Sequence, residues 1–525
     1  MIPPRTALAG LSVLAGLLSA AWLPGASTAP VPDDVLVVGQ TAEPASLDPA
    51  VSTATNDARI LVNLYEGLVR YRSGTLEPEP ALAESWTVSE DGRSYVFRLR
   101  EGVRFHDGTP FDAEAVRFNF GRLLDRDHPA ARTGPFPLAF LFRVVERVEA
   151  PDPRTVRFVL REPYAPFLAN LAYPTGLIVS PKAVTERGGA FARAPVGTGP
   201  FRFAGWQSSR KVTLERNPDY WGEAAKPRLV IFRPLTDPNT RATEMLAGGV
   251  DVMAEIPPDA LALFRERPGF AVREQVGPHL WFLILNTQAG PLRDPRVRQA
   301  VNYAIDKQAL AAHVLQGTAV PAHGLIAPAF AWAYDPSQRG YPHDPERARQ
   351  LLREAGAEGA TLRFLVAEGG SGMLDPVAMG TAIQADLAAV GLTARIATYE
   401  WNAYLARVNR GLGEDADMAE MAWMTNDPDM LPSLALRSDA RPGQGGFNAG
   451  GYANPDLDRL LAEARRTNDQ TRRADLYRQA EAIVVADAAL AFVAHWKQSA
   501  VTTAAVQGLT LEPSFFLRLS GVTKR

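Results

Sequence analysis

An α/β fold is predicted for this chain by three observations. Strand-like and helix-like runs alternate irregularly from about Asp34 to Gly508, and Asp-Pro or Asn-Pro pairs repeatedly open the helical runs. The 525 residues are 46% hydrophobic and 22% charged, ordinary globular values that exclude disorder as the main state. That length is enough for two or three cores. A formal net charge of −3, with no sustained basic run, removes any electrostatic case for nucleic acid as a partner.

In chain order, Met1 to Arg5 is a short basic start, Ala7 to Leu23 is apolar, and Pro24-Gly25-Ala26-Ser27 breaks the helix with small residues suited to cleavage. Residues 1–27 therefore read as a secretory signal peptide cut after Ser27. An uncleaved anchor is the competing reading, but the apolar run is short for a bilayer span and lacks strong flanking charge. A single arginine favours the general secretory route over the twin-arginine one. The chain has no cysteine, hence no disulfide, no thiolate ligand or nucleophile, and no residue after the signal to carry a lipid. The expectation is an exported periplasmic protein without a lipid anchor.

Trp86–Val88 and Ser94–Arg100 read as a hairpin around Glu90-Asp91-Gly92-Arg93, with Tyr95, Phe97 and Leu99 on one face. His106-Asp107-Gly108-Thr109-Pro110 makes a second turn, Asp112 can cap the helix that follows, and Phe111 can staple onto Val116. Asp237-Pro238, Asp294-Pro295, Asp344-Pro345 and Asn454-Pro455 each put a capping side chain before a proline at the first helical position. Val297, Val301, Ala304 and Ile305 form an apolar stripe, after which Asp306 can cap a second helix ending near Gly317. Ala348, Leu351, Leu352 and Ala355 repeat the scheme, as do Leu457, Leu460, Leu461 and Ala464.

No catalytic constellation stands out. Gly369-Gly370-Ser371-Gly372 lacks the spacing of a nucleophile elbow and reads as a loop. Gly411-Leu412-Gly413 has no glycine-ended strand-to-helix unit around it, and Glu414-Asp415 would repel a pyrophosphate. The seven histidines contain no i, i+4 pair and no His-Glu motif, which leaves only a metal site assembled from distant residues. No cofactor and no enzymatic activity are expected. Trp401, Tyr404, Trp423 and Phe447 are candidates for a ligand pocket, since aromatics give broad apolar contact, with core packing as the competing reading.

Glu84-Ser85-Trp86 and Arg100–Phe111 carry an E-S-W, R-x-G-V-x-F-H-D-G-x-P-F pattern. With it run, in order, Glu43–Pro49, Leu64–Leu68, Pro195–Phe201, Glu215–Trp221, Leu246–Asp251, Leu285-Asn286-Thr287, Pro291–Lys307 and Gly451–Pro455. The chain thereby resembles the extracytoplasmic solute-binding proteins of ABC transporters, specifically family 5, the large dipeptide and oligopeptide family. The resemblance implies a type II periplasmic-binding-protein fold (cluster C), with two α/β lobes around a ligand cleft plus an accessory domain. Carried onto this chain, lobe I covers 33–65, 196–285 and 496–525, the accessory domain 66–195, and lobe II 286–495. Crossings near Leu285-Asn286 and Phe492–His495 would form the hinge.

The resemblance also implies that residues after Ser46-Leu47-Asp48-Pro49 line the cleft, here Thr53, Ala54, Thr55 and Asn56. Their other reading is a capped helix start. From lobe II, the strand Asp417–Trp423 runs into Met424-Thr425-Asn426-Asp427-Pro428-Asp429, where the family's carboxylate pairs with a peptide α-ammonium. This chain is shorter there, so either Asn426 or Asp427 takes that position, and Asp427 and Asp429 also read as turn formers. Trp281 lies close to the expected hinge and is a further candidate, whereas Trp206, Trp221 and Trp496 are expected to pack in lobe I. The implied function is capture of a di- or oligopeptide by hinge closure and delivery to an ABC permease and its ATPases, by a monomer. A metal chelate, glycan or opine in the same cleft is the alternative, and an exported enzyme the remote one.

Overall fold

The strand Leu490–Thr503, 14 residues long, is the element on which the fold turns. A computed structural model of the chain describes residues 32–370 and 372–525, so the expected signal segment lies outside the described residues. The first half of this strand is antiparallel to His279–Leu285, pairing Phe282 with Phe492 and Ile284 with Leu490. The second half is antiparallel to Phe270–Val276 and Val252–Ala254. One strand thus joins two sets of neighbours into a single twelve-stranded sheet.

On one side, His279–Leu285 is followed by Met418–Met424, Thr361–Ala367 and Thr393–Tyr399, the last two pairings being parallel. On the other, Val252–Ala254 is followed by Val35–Gln40, Leu229–Pro234, Lys211–Arg216 and Phe201–Gln207. Val35–Gln40 lies between two parallel neighbours and is buried throughout, which is why it reads as a continuous apolar run rather than an alternation.

The expected hairpin forms from Ala83–Val88 and Ser94–Leu99, with Trp86 opposite Phe97 and Val88 opposite Tyr95. It belongs to a separate four-stranded sheet with Thr155–Leu160 and Val145–Asp152. Tyr95, Phe97 and Leu99 are buried, and Phe158 meets Phe97 edge to face at 5.7 Å. The Asp112 side chain accepts from the Ala115 amide at 2.9 Å and caps Ala113–Leu124, while Phe111 and Val116 are both buried. The same capping occurs at Asp237, Asp294, Asp344 and Asn454, each ahead of its proline.

Asp306 does cap a second helix, through the Ala309 amide, but only Lys307–Ala309 is α-helical. Leu310–Val314 widens into a π turn closed by the Leu315 amide on the Leu310 carbonyl at 2.9 Å. Apolar spacing does not reveal that change of hydrogen-bond register.

Several of the separated motifs converge on Glu66. Its carboxylate accepts from the Trp221 indole at 2.7 Å, the Tyr220 hydroxyl at 2.7 Å and the Thr198 hydroxyl at 3.1 Å. Gly197 packs on the Leu64 backbone, where an added Cβ would lie 2.2 Å from the Leu64 carbonyl oxygen, so any side chain would force the two segments apart. Asp48 is fastened to Arg122 at 2.6 and 3.0 Å, both buried, tying the Ser46-Leu47-Asp48 segment to the helix Ala113–Leu124.

Candidate ligand-binding cleft

A cavity of about 370 Å³ lies between the segment around Thr53–Thr55, with Ser514 and Phe516, and the sheet half that contains Met418–Met424. The helix Thr55–Leu64 starts at its wall. Its N-cap is Ala54, extended and without a side-chain cap, so the hydroxyls of Thr53 and Thr55 are not spent on the helix end. Thr53, Ala54 and Thr55 line the cavity, whereas Asn56 hydrogen-bonds Thr41 and accepts from Arg59 Nη1 at 3.1 Å outside the lining.

On the opposite wall, Met421, Trp423, Met424 and Asn426 come from the strand Met418–Met424 and the turn after it. Trp423 meets Phe447 edge to face at 5.4 Å, and both line the cavity. Thr425 turns away, donating its amide and hydroxyl to the Pro278 carbonyl at 2.8 and 3.0 Å. The Asn426 side-chain amide donates to Asn170 Oδ1 at 2.7 Å, a bond between this wall and the helix Phe167–Ala172. Its own Oδ1 is buried without a partner among the described residues.

Asp427 does not line this cavity. Its carboxylate is held by Arg473 at 2.8 and 2.9 Å and borders a smaller cavity of about 220 Å³ shared with Asp429 and Arg465. Burial opposes the Arg473 charge, but Asp427 and Tyr477 outweigh it and raise its pKa above the ordinary arginine value. Burial also raises the Asp429 carboxyl, with Arg465 at 3.4 Å acting against it.

Trp401 lies outside the lining, stacked on Tyr404 at 5.9 Å and 10°, and Tyr404 is core, its hydroxyl donating to the Glu420 carbonyl. Leu405, Val408 and Asn409 of the same helix, Trp401–Val408 and its cap, face the cavity instead. Trp281 is fully buried and outside the lining, while its neighbour Phe282 and, two residues on, Ile284 are in it. Trp496 also differs from expectation: it lines the cavity, packed between His279 and Phe515. Trp206 and Trp221 donate to Glu43 and Glu66, respectively.

Leu138, Phe140 and Tyr173 contribute from the 66–195 region, so this segment reaches the cavity as well. No spacing rule marks these residues, since none belongs to an alternating or helical stripe. Among the described residues, no group of three or more His, Asp or Glu side chains is placed to hold a metal ion.

The cavity lies between the two halves of the large sheet, with the third region reaching its edge, and its lining is largely apolar, as small-molecule sites are. Residues 77–444 match the model of the bacterial extracellular solute-binding proteins, family 5, and the chain belongs to that family. It is 35% identical to di/tripeptide-binding protein 2 of Pseudomonas aeruginosa over 468 residues, covering 85% of this chain and 87% of that one. Among solved structures, it is similar to HbpA2 from Haemophilus parasuis, with a TM-score of 0.85 and 29% identity, covering 94% of this chain and 100% of that one. It is similar also to the ABC transporter-associated periplasmic binding protein DppA from Helicobacter pylori in complex with the peptide STSA. There the TM-score is 0.77 and the identity 31%, over 93% of this chain and 98% of that one. The fold is accordingly the type II periplasmic-binding-protein fold, two lobes around a ligand cleft plus an accessory domain.

Proposed function

We propose that this protein is the periplasmic solute-binding component of an ABC importer that captures peptide-type ligands and delivers them to the permease. The cavity walled by Thr53–Thr55 on one side and Met421–Asn426 on the other carries this reading. A di/tripeptide-binding relative that spans most of the chain supports the ligand class. The lobes would close by bending where Leu490–Thr503 passes from one set of strands to the other. Ligand shifts the open-closed balance only through its greater affinity for the closed form. Thr53, Ala54, Thr55, Trp423, Met424, Asn426 and Phe447 form the proposed binding set, with Leu405, Val408, Asn409, Tyr173 and Trp496 added. Residues 1–27 would serve as the export signal, and the mature monomer would meet a permease pair and its ATPases around the cleft mouth.

Native mass spectrometry of protein purified from its own periplasm tests this directly: a bound molecule of peptide mass is expected. A thermal-shift screen is the second check, since ligand at a hundred times its dissociation constant adds about 2.7 kcal/mol. A panel of free, cyclic and end-blocked di- and tripeptides that leaves the melting point unmoved throughout would remove the peptide assignment.

A further inference from the structure

Among the described residues, the cavity wall holds no charge: no Asp, Glu, Lys, Arg or His side chain lines it. Several charged residues adjoining the lining segments are engaged elsewhere. Asp57 accepts from the Ala45 amide at 2.9 Å and the Ser52 hydroxyl at 2.9 Å. Arg59 is buried against Glu255 and the Phe515 carbonyl. Asp427 is held by Arg473, and Asp487 takes the Tyr452 hydroxyl and the Asn454 amide.

What the wall does offer is neutral polarity. The side chains of Thr53, Thr55, Asn409 and Ser514 line it and have no hydrogen-bond partner among the described residues, nor have the indole N–H groups of Trp423 and Trp496. The Oδ1 of Asn426, a residue 4% exposed, is an acceptor unpaired among the described residues, and Asn426 belongs to the same wall. Tyr173, Phe282, Phe447 and Phe516 supply the apolar surface between them.

A free dipeptide at neutral pH carries an α-ammonium and an α-carboxylate. Enclosing either ion without a counter-charge is strongly unfavourable, whereas amide N–H and C=O groups are satisfied by hydroxyls, carboxamides and indoles. Resting on the peptide reading above, we infer that the cognate ligand is an apolar peptide-type molecule without free termini, its amides neutral throughout. A cyclic dipeptide or an end-blocked dipeptide has that chemistry, and a cavity of about 370 Å³ is at the small end of ligand sites, roughly 300–1,000 Å³.

Titration calorimetry on the mature protein at pH 7.5 tests this with three probes: cyclo(Leu-Phe), N-acetyl-Leu-Phe-amide and free Leu-Phe. One of the two neutral probes should bind at least a hundredfold more tightly than free Leu-Phe, and the tighter of them tells a cyclic ligand from a blocked one. Free Leu-Phe binding as tightly as both overturns the inference and leaves peptide capture standing. Failure of all three, together with a panel of free di- and tripeptides, removes the peptide reading and this inference with it. Thr53→Asp, checked for folding by circular dichroism, places one carboxylate in the wall. It should shift the preference at least tenfold toward free Leu-Phe, and an unchanged ratio counts against the charge argument.

Discussion

Asp427 receives two contacts from a single nitrogen, Arg473 Nη2, at 2.8 and 2.9 Å, and both side chains are buried. The carboxylate also accepts from the Asp429 amide at 2.9 Å and so shapes the turn after the strand Met418–Met424. Its charge is neutralised inside the protein, outside the lining of the candidate ligand cavity. Asp427→Ala should therefore destabilise the unliganded protein by about 3–5 kcal/mol, the usual cost of leaving one member of a buried pair alone. Urea unfolding without ligand is the measurement. A midpoint unchanged from the parent would mean that the pair carries no structural weight.

Trp423 and Phe447 meet edge to face in the cavity wall, while Trp401 lies outside it, stacked on Tyr404. Trp423→Ala should cost about 2 kcal/mol of ligand affinity, roughly thirtyfold, as truncating a buried aromatic anchor commonly does. Trp401→Ala should leave affinity within about twofold, because the loss falls on packing outside the wall. Calorimetry with the ligand found by native mass spectrometry distinguishes the two, and equal losses would show that Trp401 reaches the ligand.

Glu420, on the strand Met418–Met424, is buried, with Oε1 accepting from the Ala367 amide at 2.8 Å and Oε2 unpartnered among the described residues. Burial pushes its pKa up to about 9. The folded value lies above the unfolded one, so the folded state holds this proton more tightly. Its contribution to stability is complete below the unfolded pKa, near 4.5, and is lost as pH rises through about 9. Across that window the slope from this group is at most about 1.4 kcal/mol per pH unit. Glu420→Gln should consequently unfold at higher urea than the parent at pH 8, with the gap closing toward pH 4.5. A gap independent of pH would exclude Glu420 as its source.

The hydrogen bond from Asn426 to Asn170 links the cavity wall after Met418–Met424 to the helix Phe167–Ala172 of the 66–195 region. It can form only when these two parts are together. A double-mutant cycle with Asn170→Ala and Asn426→Ala should give a coupling of about 1 kcal/mol in ligand affinity. Additive losses would show that the bond plays no part in holding the bound arrangement.

Much of the local structure was legible in the residues themselves. Asp112, Asp237, Asp294, Asp344 and Asn454 cap their helices as the capping rules require, because a cap depends on a few neighbouring atoms. The hairpin register is similarly local, set by a short turn and an alternating buried face. The cleft was legible only in part. Thr53–Thr55, Trp423, Met424, Asn426 and Phe447 stand in the wall, but the strand His279–Leu285 is buried along its whole length, so no alternation marks the face that meets the cavity. Trp281 and Phe282 look equivalent there until the packing on each side of the sheet is known.

By itself the sequence determined the α/β class, the capped helices, the hairpin and, through ordered motifs, the family. These rest on short-range backbone chemistry and on residue order, both present in the linear chain. Only the tertiary structure decided that Asp427 is spent on Arg473, that Tyr173 and Phe140 reach the cleft from the 66–195 region, and that the cavity wall is uncharged among the described residues. Charge pairing and cavity lining depend on which side chains meet across distances of tens to hundreds of residues. The strand Leu490–Thr503, where two sets of strands share one element, is one place where such distant segments are brought into a single sheet.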